Sequence, residues 1–571
     1  MKHSATDTTA LPKHKASPRS TTPAPGGPGR RIRNSAWHIL SALCWLGLAA
    51  PATADSFPRS IELAFLNGSN GFALNGISLD DRSGVSVSAA GDINGDGIGD
   101  VIIGAHYADP GGFLGLLQRR DAGQSYVVFG RATPLPAALE LVGLNGFNGF
   151  AINGVEPNDR SGSSVAAAGD VNGDGIDDLI IGAPKADPDD RLGAGQGYVV
   201  FGRATPFPAA LELSNLDGTN GFTLNGITGL TDPSGGDSAG YKVAGAGDVN
   251  GDGIDDIMIS AVLVDPGLIF NAGQSYVVFG RTGGFPAVLE LSALDGTNGF
   301  TLNGVGPGNL TGFSLAGAGD VNGDGIDDII VATPFEDVGV LFQAGQSYVV
   351  YGRTGGFPAV LELSALDGTN GFTLDGFLDD FSGWSVSGAG DVNGDGVDDL
   401  IIGAAWAPLA GRSYVVFGRA QGFPAVLSLT SLDGIIGFKL TGIAAEDAAG
   451  SSVSRAGDVN GDGIDDLIVG APYADVGRRL NAGQGYVVFG RAGGFPAILG
   501  LAGLDGTNGF ALNGVAAWDF SGISVSGAGD INGDGVDDVI IGAMAADPGG
   551  RLSAGRSYVV LGRSAASVSG Q

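Results

Sequence analysis

From residue 72 onward, short apolar stretches alternate with clusters of Gly, Asn, Asp and Pro. None has the length or the 3.6-residue spacing that an amphipathic helix needs. Four such stretches form one set, as in Phe150-Ala151-Ile152-Asn153, Gly162 to Gly169, Leu179 to Ala183 and Gly197 to Gly202. All are strand-length, and their Val, Ile, Tyr and Phe suit a pleated, half-buried surface, so the pattern predicts four short strands. The set recurs with a sharp marker, Asp-x-Asn-Gly-Asp-Gly-(Ile/Val)-x-Asp, spaced 67 to 78 residues apart. Between Arg281 and Gly304 the sequence repeats from Arg353 to Gly376 with one change, Asn303 against Asp375.

Seven units of four strands predict an all-β fold, a seven-bladed β-propeller of four-stranded antiparallel blades, because radial repetition leaves only short protected edges. An open solenoid is the competing arrangement, and it would want distinct polar caps at its ends. The chain order favours a ring. It opens with Phe72-Ala73-Leu74-Asn75-Gly76, a fourth-strand type, and closes with Ser557-Tyr558-Val559-Val560-Leu561, a third-strand type. The ring is therefore expected to close by pairing of the N- and C-terminal strands, with the propeller over residues 55–563 and a short tail over 564–571.

Composition narrows the class. With 104 Gly and 26 Pro in 571 residues, a helical bundle is excluded, while 43% hydrophobic against 16% charged residues is too apolar for a disordered chain. A net charge of −32 would repel phosphate backbones, so nucleic acid is not an expected partner. Residues 1–54 differ in kind: a basic cluster from Arg30 to Arg33, an apolar run from Ala36 to Ala50, and Ala52-Thr53-Ala54. They read as a secretory signal cut before Asp55, with an uncleaved anchor as the alternative, and no other segment could span a membrane. The only cysteine, Cys44, falls inside this leader, so the exported chain would have no disulfide and would rely on packing or on an ion.

The acidic markers supply the ion-binding chemistry. Calcium takes six to eight oxygens, and a loop with oxygens at alternate positions can wrap it, glycines allowing the tight turn. The expected ligands are side chains at the first, third, fifth and ninth positions and the backbone carbonyl at the seventh. These are Asp92, Asn94, Asp96, Ile98 and Asp100 in unit one, and Asp170, Asn172, Asp174, Ile176 and Asp178 in unit two. Unit three offers Asp248, Asn250, Asp252, Ile254 and Asp256, and unit four Asp320, Asn322, Asp324, Ile326 and Asp328. Unit five offers Asp391, Asn393, Asp395, Val397 and Asp399. Unit six has Asp458, Asn460, Asp462, Ile464 and Asp466, and unit seven Asp530, Asn532, Asp534, Val536 and Asp538. Up to seven structural Ca2+ ions are expected. Plain hairpin turns would need no carboxylates at these places. An EF-hand would need an acid at position 12, where the chain has Ile103, Ile181, Ile259, Val331, Ile402, Val469 and Ile541.

The marker, a preceding Phe/Tyr/Ser-x-Gly and a following Gly-Ala-Pro, as in Gly182-Ala183-Pro184 and Gly470-Ala471-Pro472, resemble FG-GAP repeats. These form the propeller of integrin α subunits and of many secreted bacterial proteins. The resemblance implies a seven-bladed propeller with calcium in the hairpin between the first two strands of a blade, on the lower face, and ligands on the opposite face; integrins normally carry calcium in only some blades, whereas all seven loops are complete here. It implies an extracellular or cell-surface, non-catalytic adhesion module whose partner is an extracellular protein or glycan. FG-GAP propellers also accompany secreted phospholipases and other hydrolases, so a secreted hydrolase is the alternative, and a structural surface or matrix component a third reading.

Candidate catalysis is thin. His106 is the one histidine after the leader, standing where other units have Pro184, Pro334 or Pro472, and it reads as a surface turn residue. No catalytic residue and no organic cofactor is nominated. Each third strand ends in Gly-Arg, at Arg131, Arg203, Arg281, Arg353, Arg419, Arg491 and Arg563. The expectation is charge pairing with carboxylates such as Asp177 or Asp255, with a polyanion site as the alternative. Trp384, Trp406 and Trp518 read as scattered packing residues, with sugar-stacking platforms as the alternative. Variable connections, Tyr107 to Gly123 above all, and Thr228 to Gly240, are the expected place for a partner.

Overall fold

The repeated alternation folds into seven sheets of one design in a computed structural model that describes residues 57–111, 119–229 and 236–564. In unit two the strands Ser164–Gly169, Asp178–Ala183, Gln196–Val200 and Gly221–Asn225 run antiparallel in that order. The predicted leader, residues 1–54, lies outside the described residues, as does most of the tail.

Each blade carries a fifth strand that the four-strand reading did not anticipate. Val288–Glu290 lies parallel to Gly221–Asn225, with Thr223 opposite Val288. It belongs to the next unit, in the connection between that unit's third and fourth strands, and so straps the outer edge of the preceding blade. A three-residue strand is too short for alternation to reveal, and its pairing partner lies in another repeat. A three-residue 3-10 turn such as Leu291–Ala293 follows it and leads back into its own blade.

The innermost strands join around the axis. Val165 N–H donates to Ser86 Oγ (3.1 Å), and Val87 N–H to Ser524 Oγ (3.0 Å), so the same link crosses from unit seven to unit one. The ring closes as expected: Gly71–Asn75 pairs antiparallel with Arg556–Val560, Phe72 opposite Val559. Ser60–Glu62 also straps Gly509–Asn513 of the sixth blade, so the first described segment seals two adjacent sheets. Between blades the core is aromatic. Phe150 of a fourth strand stacks on Phe207, in the segment leading into the strap Ala210–Glu212, centroids 4.2 Å apart, and Phe222 on Phe285 at 4.1 Å. Such pairs join large buried area to a favourable ring geometry. Gly182 shows why Gly-Ala ends five of the seven second strands: a Cβ there would overlap the Gly240 carbonyl oxygen of the neighbouring turn.

Buried carboxyls fix the turns at the other end of the blades. Asp81, Asp159 and Asp519 accept the N–H of Ser78, Glu156 and Ala516 at 2.8, 2.9 and 2.9 Å, and burial pushes each up to about 6. The folded state thus holds these protons more tightly than the unfolded chain, so each group's contribution is most favourable at acid pH and is lost as pH rises from about 4 through about 6. Asp159→Asn keeps the acceptor oxygen and removes the charge. The expected result is a stabilisation of about 2 kcal/mol at pH 8 that vanishes near pH 4, read by thermal melting at the two pH values.

Candidate metal loops and the opposite face

Each marker forms the hairpin between a blade's innermost and second strands, with its tip in solvent and its ninth residue opening the second strand. In unit two, Asp170 Oδ1 accepts the N–H of Asp174 (2.9 Å) and Oδ2 that of Gly175 (2.7 Å), while Asp174 Oδ1 accepts from Ile176 (3.1 Å). Gly173 and Gly175 hold φ of 71° and 88°, a left-handed path that a side chain would strain. Asp178 is fully buried. Its Oδ1 accepts Gly202 N–H (2.8 Å), its Oδ2 Val171 N–H (3.0 Å), and Asn172 Nδ2 lies 3.3 Å from Oδ2, which turns the amide oxygen of Asn172 the other way. Burial pushes Asp178 up to about 8 against those N–H bonds, with Asp174 and Asp170 adding repulsion, and Asp100, Asp256, Asp328, Asp399, Asp466 and Asp538 behave alike.

The predicted residues of each unit are therefore brought to one loop. The set fits a hard cation in its chemistry: every donor is an oxygen, and a carboxylate oxygen bonded to one N–H keeps a second lone pair. Among the described residues no three carboxylate, imidazole or thiolate groups already converge at metal-holding distance, because the first and fifth acids are turned onto the loop's own N–H groups.

One functional position escaped the sequence reading. The eighth residue of a marker reaches the preceding loop: Asp177 Oδ2 accepts Asp92 N–H (2.7 Å), Asp255 that of Asp170 (2.8 Å), and Asp327, Asp398, Asp465 and Asp537 repeat the bond. Adjacent loops are thereby coupled around the lower face, except at the seven-to-one boundary, where Gly99 takes the place and donates its own N–H to Asp530 O (3.2 Å). The signal was an Asp at that variable place in six of the seven markers.

The Gly-Arg positions overturn an expectation. Asp177 and Asp255 bond backbone N–H groups, while Arg203, Arg281, Arg353, Arg419, Arg491 and Arg563 lie 4.2 to 4.5 Å over Phe207, Phe285, Phe357, Phe423, Phe495 and Phe57. A weakly hydrated planar guanidinium gains from a ring face, and these rings are already fixed by the Phe–Phe stacks beneath them. Arg131 has Leu135 in that place.

On the opposite face His106 lies in a turn, as expected, but is half-buried, its ring 4.1 Å from that of Tyr107, and burial first, then Arg82 and Arg160, push it down to about 4. Trp384 and Trp406 are not scattered but touch edge to face at 5.7 Å. Of the variable connections, residues 112–118 and 230–235 lie outside the described residues, and Arg119 pairs with Glu212 at 2.6 Å.

The FG-GAP repeat model matches residues 83–128, 161–200, 311–350, 382–416, 449–488 and 521–560, each running from the turn before an innermost strand, or from that strand, to the third strand of a blade. The chain carries FG-GAP repeats. This FG-GAP propeller is similar to integrin alpha-5 of Xenopus laevis, 29% identical over 247 residues, which cover 43% of this chain and 20% of that protein. Against integrin alpha-V of Gallus gallus it is 33% identical over 190 residues, 33% and 16% of the two chains. A phosphatidylinositol-glycan-specific phospholipase D of Rattus norvegicus is 32% identical over 173 residues, 30% and 19% of the two chains. The matched stretches thus span a fifth or less of these relatives' length. Among the described residues no helix is long and apolar enough to cross a membrane.

Proposed function

We propose that this FG-GAP propeller is an exported, calcium-holding, ligand-binding module without catalysis of its own, whose partner is an extracellular protein or glycan taken on the face opposite the acidic loops. The observation that carries the reading is the sevenfold loop: one oxygen-donor set, fixed in the same hairpin of every blade, beneath a face whose residues differ from unit to unit. The likeness to integrin α subunits supports ligand binding on such a scaffold.

Calcium when bound would supply the positive charge that lets three acids of one loop sit together. In unit two Asp170, Asn172, Asp174, the Ile176 carbonyl and Asp178 would hold it. The chain's own part is structural: Asp178 anchors the second strand to Gly202, and Asp177 ties the loop to its neighbour. The partial likeness to phospholipase D sustains the hydrolase alternative. An array of glycans and matrix proteins, probed with and without chelator, together with lipid, ester and glycan substrate panels, separates the two. The expected result is calcium-dependent capture of a ligand with no turnover; hydrolysis of any panel member would contradict it.

A further inference from the structure

The end of the channel opposite the acidic loops has a rim of two kinds. In an antiparallel blade the start of the innermost strand and the end of the second lie side by side, so the residues there surround the opening. Arg82 and Arg160 occupy the same left-handed turn position in consecutive units, φ 56° and 58°. Their guanidinium carbons stand 4.8 and 5.1 Å from the centroid of one ring, Tyr107. Lys185, exposed in unit two, places its ammonium 3.4 Å from Ser238 Oγ. Among the described residues none of these three cations forms an ion pair, although the chain carries a net −32. The nearest acids, Asp81 and Asp159, are buried on the N–H groups of Ser78 and Glu156, so three cations with no ion-pair partner leave a local positive charge that an anion would relieve.

The rest of the rim is aromatic. Centroid separations run Tyr241 to Phe313 5.6 Å, Phe313 to Trp384 4.9 Å, Trp384 to Trp406 5.7 Å, Trp406 to Tyr473 6.3 Å and Tyr473 to Phe520 5.7 Å. This chain of rings starts beside the basic units at unit three and returns to them at unit seven. The fold does not require the rings. At the same positions other units have Ser163, Ser451 and Ala545, and the rings are half-exposed, Trp406 at 46%, whereas the blade phenylalanines such as Phe150 are fully buried. Half-exposed rings in tilted or edge-to-face contact around an opening form a surface for apolar ring faces.

Resting on the ligand-binding reading above, we infer that this rim takes an acidic polysaccharide, its sugar faces laid on the Tyr241-to-Phe520 rings and its carboxylates held by Arg82, Arg160 and Lys185. A uronate polymer has both features, one apolar C–H face and one negative charge per sugar. A neutral glycan would leave the cations unused, and a protein partner is a different outcome of the test.

Calorimetry on the full chain at fixed free calcium, with hexagalacturonate and its methyl ester as probes, tests the inference. Hexagalacturonate is expected to bind, and the uncharged ester to bind at least about tenfold more weakly. Arg82→Ala with Arg160→Ala should cost about tenfold or more, with rising salt abolishing the difference, and Trp406→Ala should weaken both probes. Unchanged melting temperatures, and partial recovery by Arg82→Lys with Arg160→Lys, guard against misfolding. Absence of hexagalacturonate binding, or binding that the double variant leaves intact, overturns the inference. A protein captured on the array by wild type and rim variants alike overturns it while the ligand-binding reading stands; no captured ligand of any kind overturns both.

Discussion

Stripping calcium from the folded chain is expected to lower its melting temperature by about 15–20 °C. A site kept at a hundred times its dissociation constant stabilises the native state by about 2.7 kcal/mol, and seven such sites act on one closed ring. Unfolding entropy of about 2.1 cal/mol/K per residue sets the conversion to degrees for a chain of this size. The molecular reason lies in loops such as Asp170 to Asp178, where three acids share one hairpin and the ninth is buried. Without the cation those charges repel across a few ångströms, and the bonds from Asp177 and its counterparts transmit the loosening to the next blade. Magnesium should restore little, since it demands a tighter octahedral shell than an extended loop offers. Calorimetric scans in calcium, in chelator and in magnesium check this; identical transitions would contradict it.

Removing residues up to Asn75 is expected to abolish the monomeric fold. That segment buries Phe57, Leu63, Phe72 and Leu74, each worth about 1.5–3 kcal/mol, so the loss approaches the whole stability of an ordinary domain. It also bares the edge of Arg556–Val560, an invitation to pairing between chains. Light scattering should find oligomers or aggregate. The complementary variant should be native-like. Arg563 stands over Phe57 as Arg203 stands over Phe207, four residues later in sequence. Joining Ser564 directly to Asp55 reproduces that spacing, and new ends can be opened between Gly355 and Gly356, which are exposed and have no neighbouring atom near a built Cβ. This circular permutant should melt within a few degrees of the parent chain; collapse of the permutant would show that closure depends on something other than the strand pairing.

What could be read from the sequence was whatever is fixed locally. Turn chemistry repeated seven times defined the hairpins, the unit count and the pairing of Phe72 with the last strand. What could not be read depends on contact between units. The strap Val288–Glu290 pairs with a strand more than sixty residues earlier and is three residues long. Arg203 suggested charge pairing because acids abound, yet its partner was the phenylalanine four residues on, held flat by Phe150 of another blade. Trp384 and Trp406 looked scattered because the rings that connect them to their neighbours, Phe313 and Tyr473, belong to other repeats. The candidate ligands at odd loop positions were evident from spacing, whereas Asp177 was not, since its bond leaves its own loop.

The most direct measurement is an anomalous difference map from crystals grown in millimolar calcium. The account requires a peak in all seven loops, bounded by the first, third, fifth and ninth side chains and the seventh carbonyl. Loops filled only with water, their acids still turned onto their own N–H groups, would contradict it.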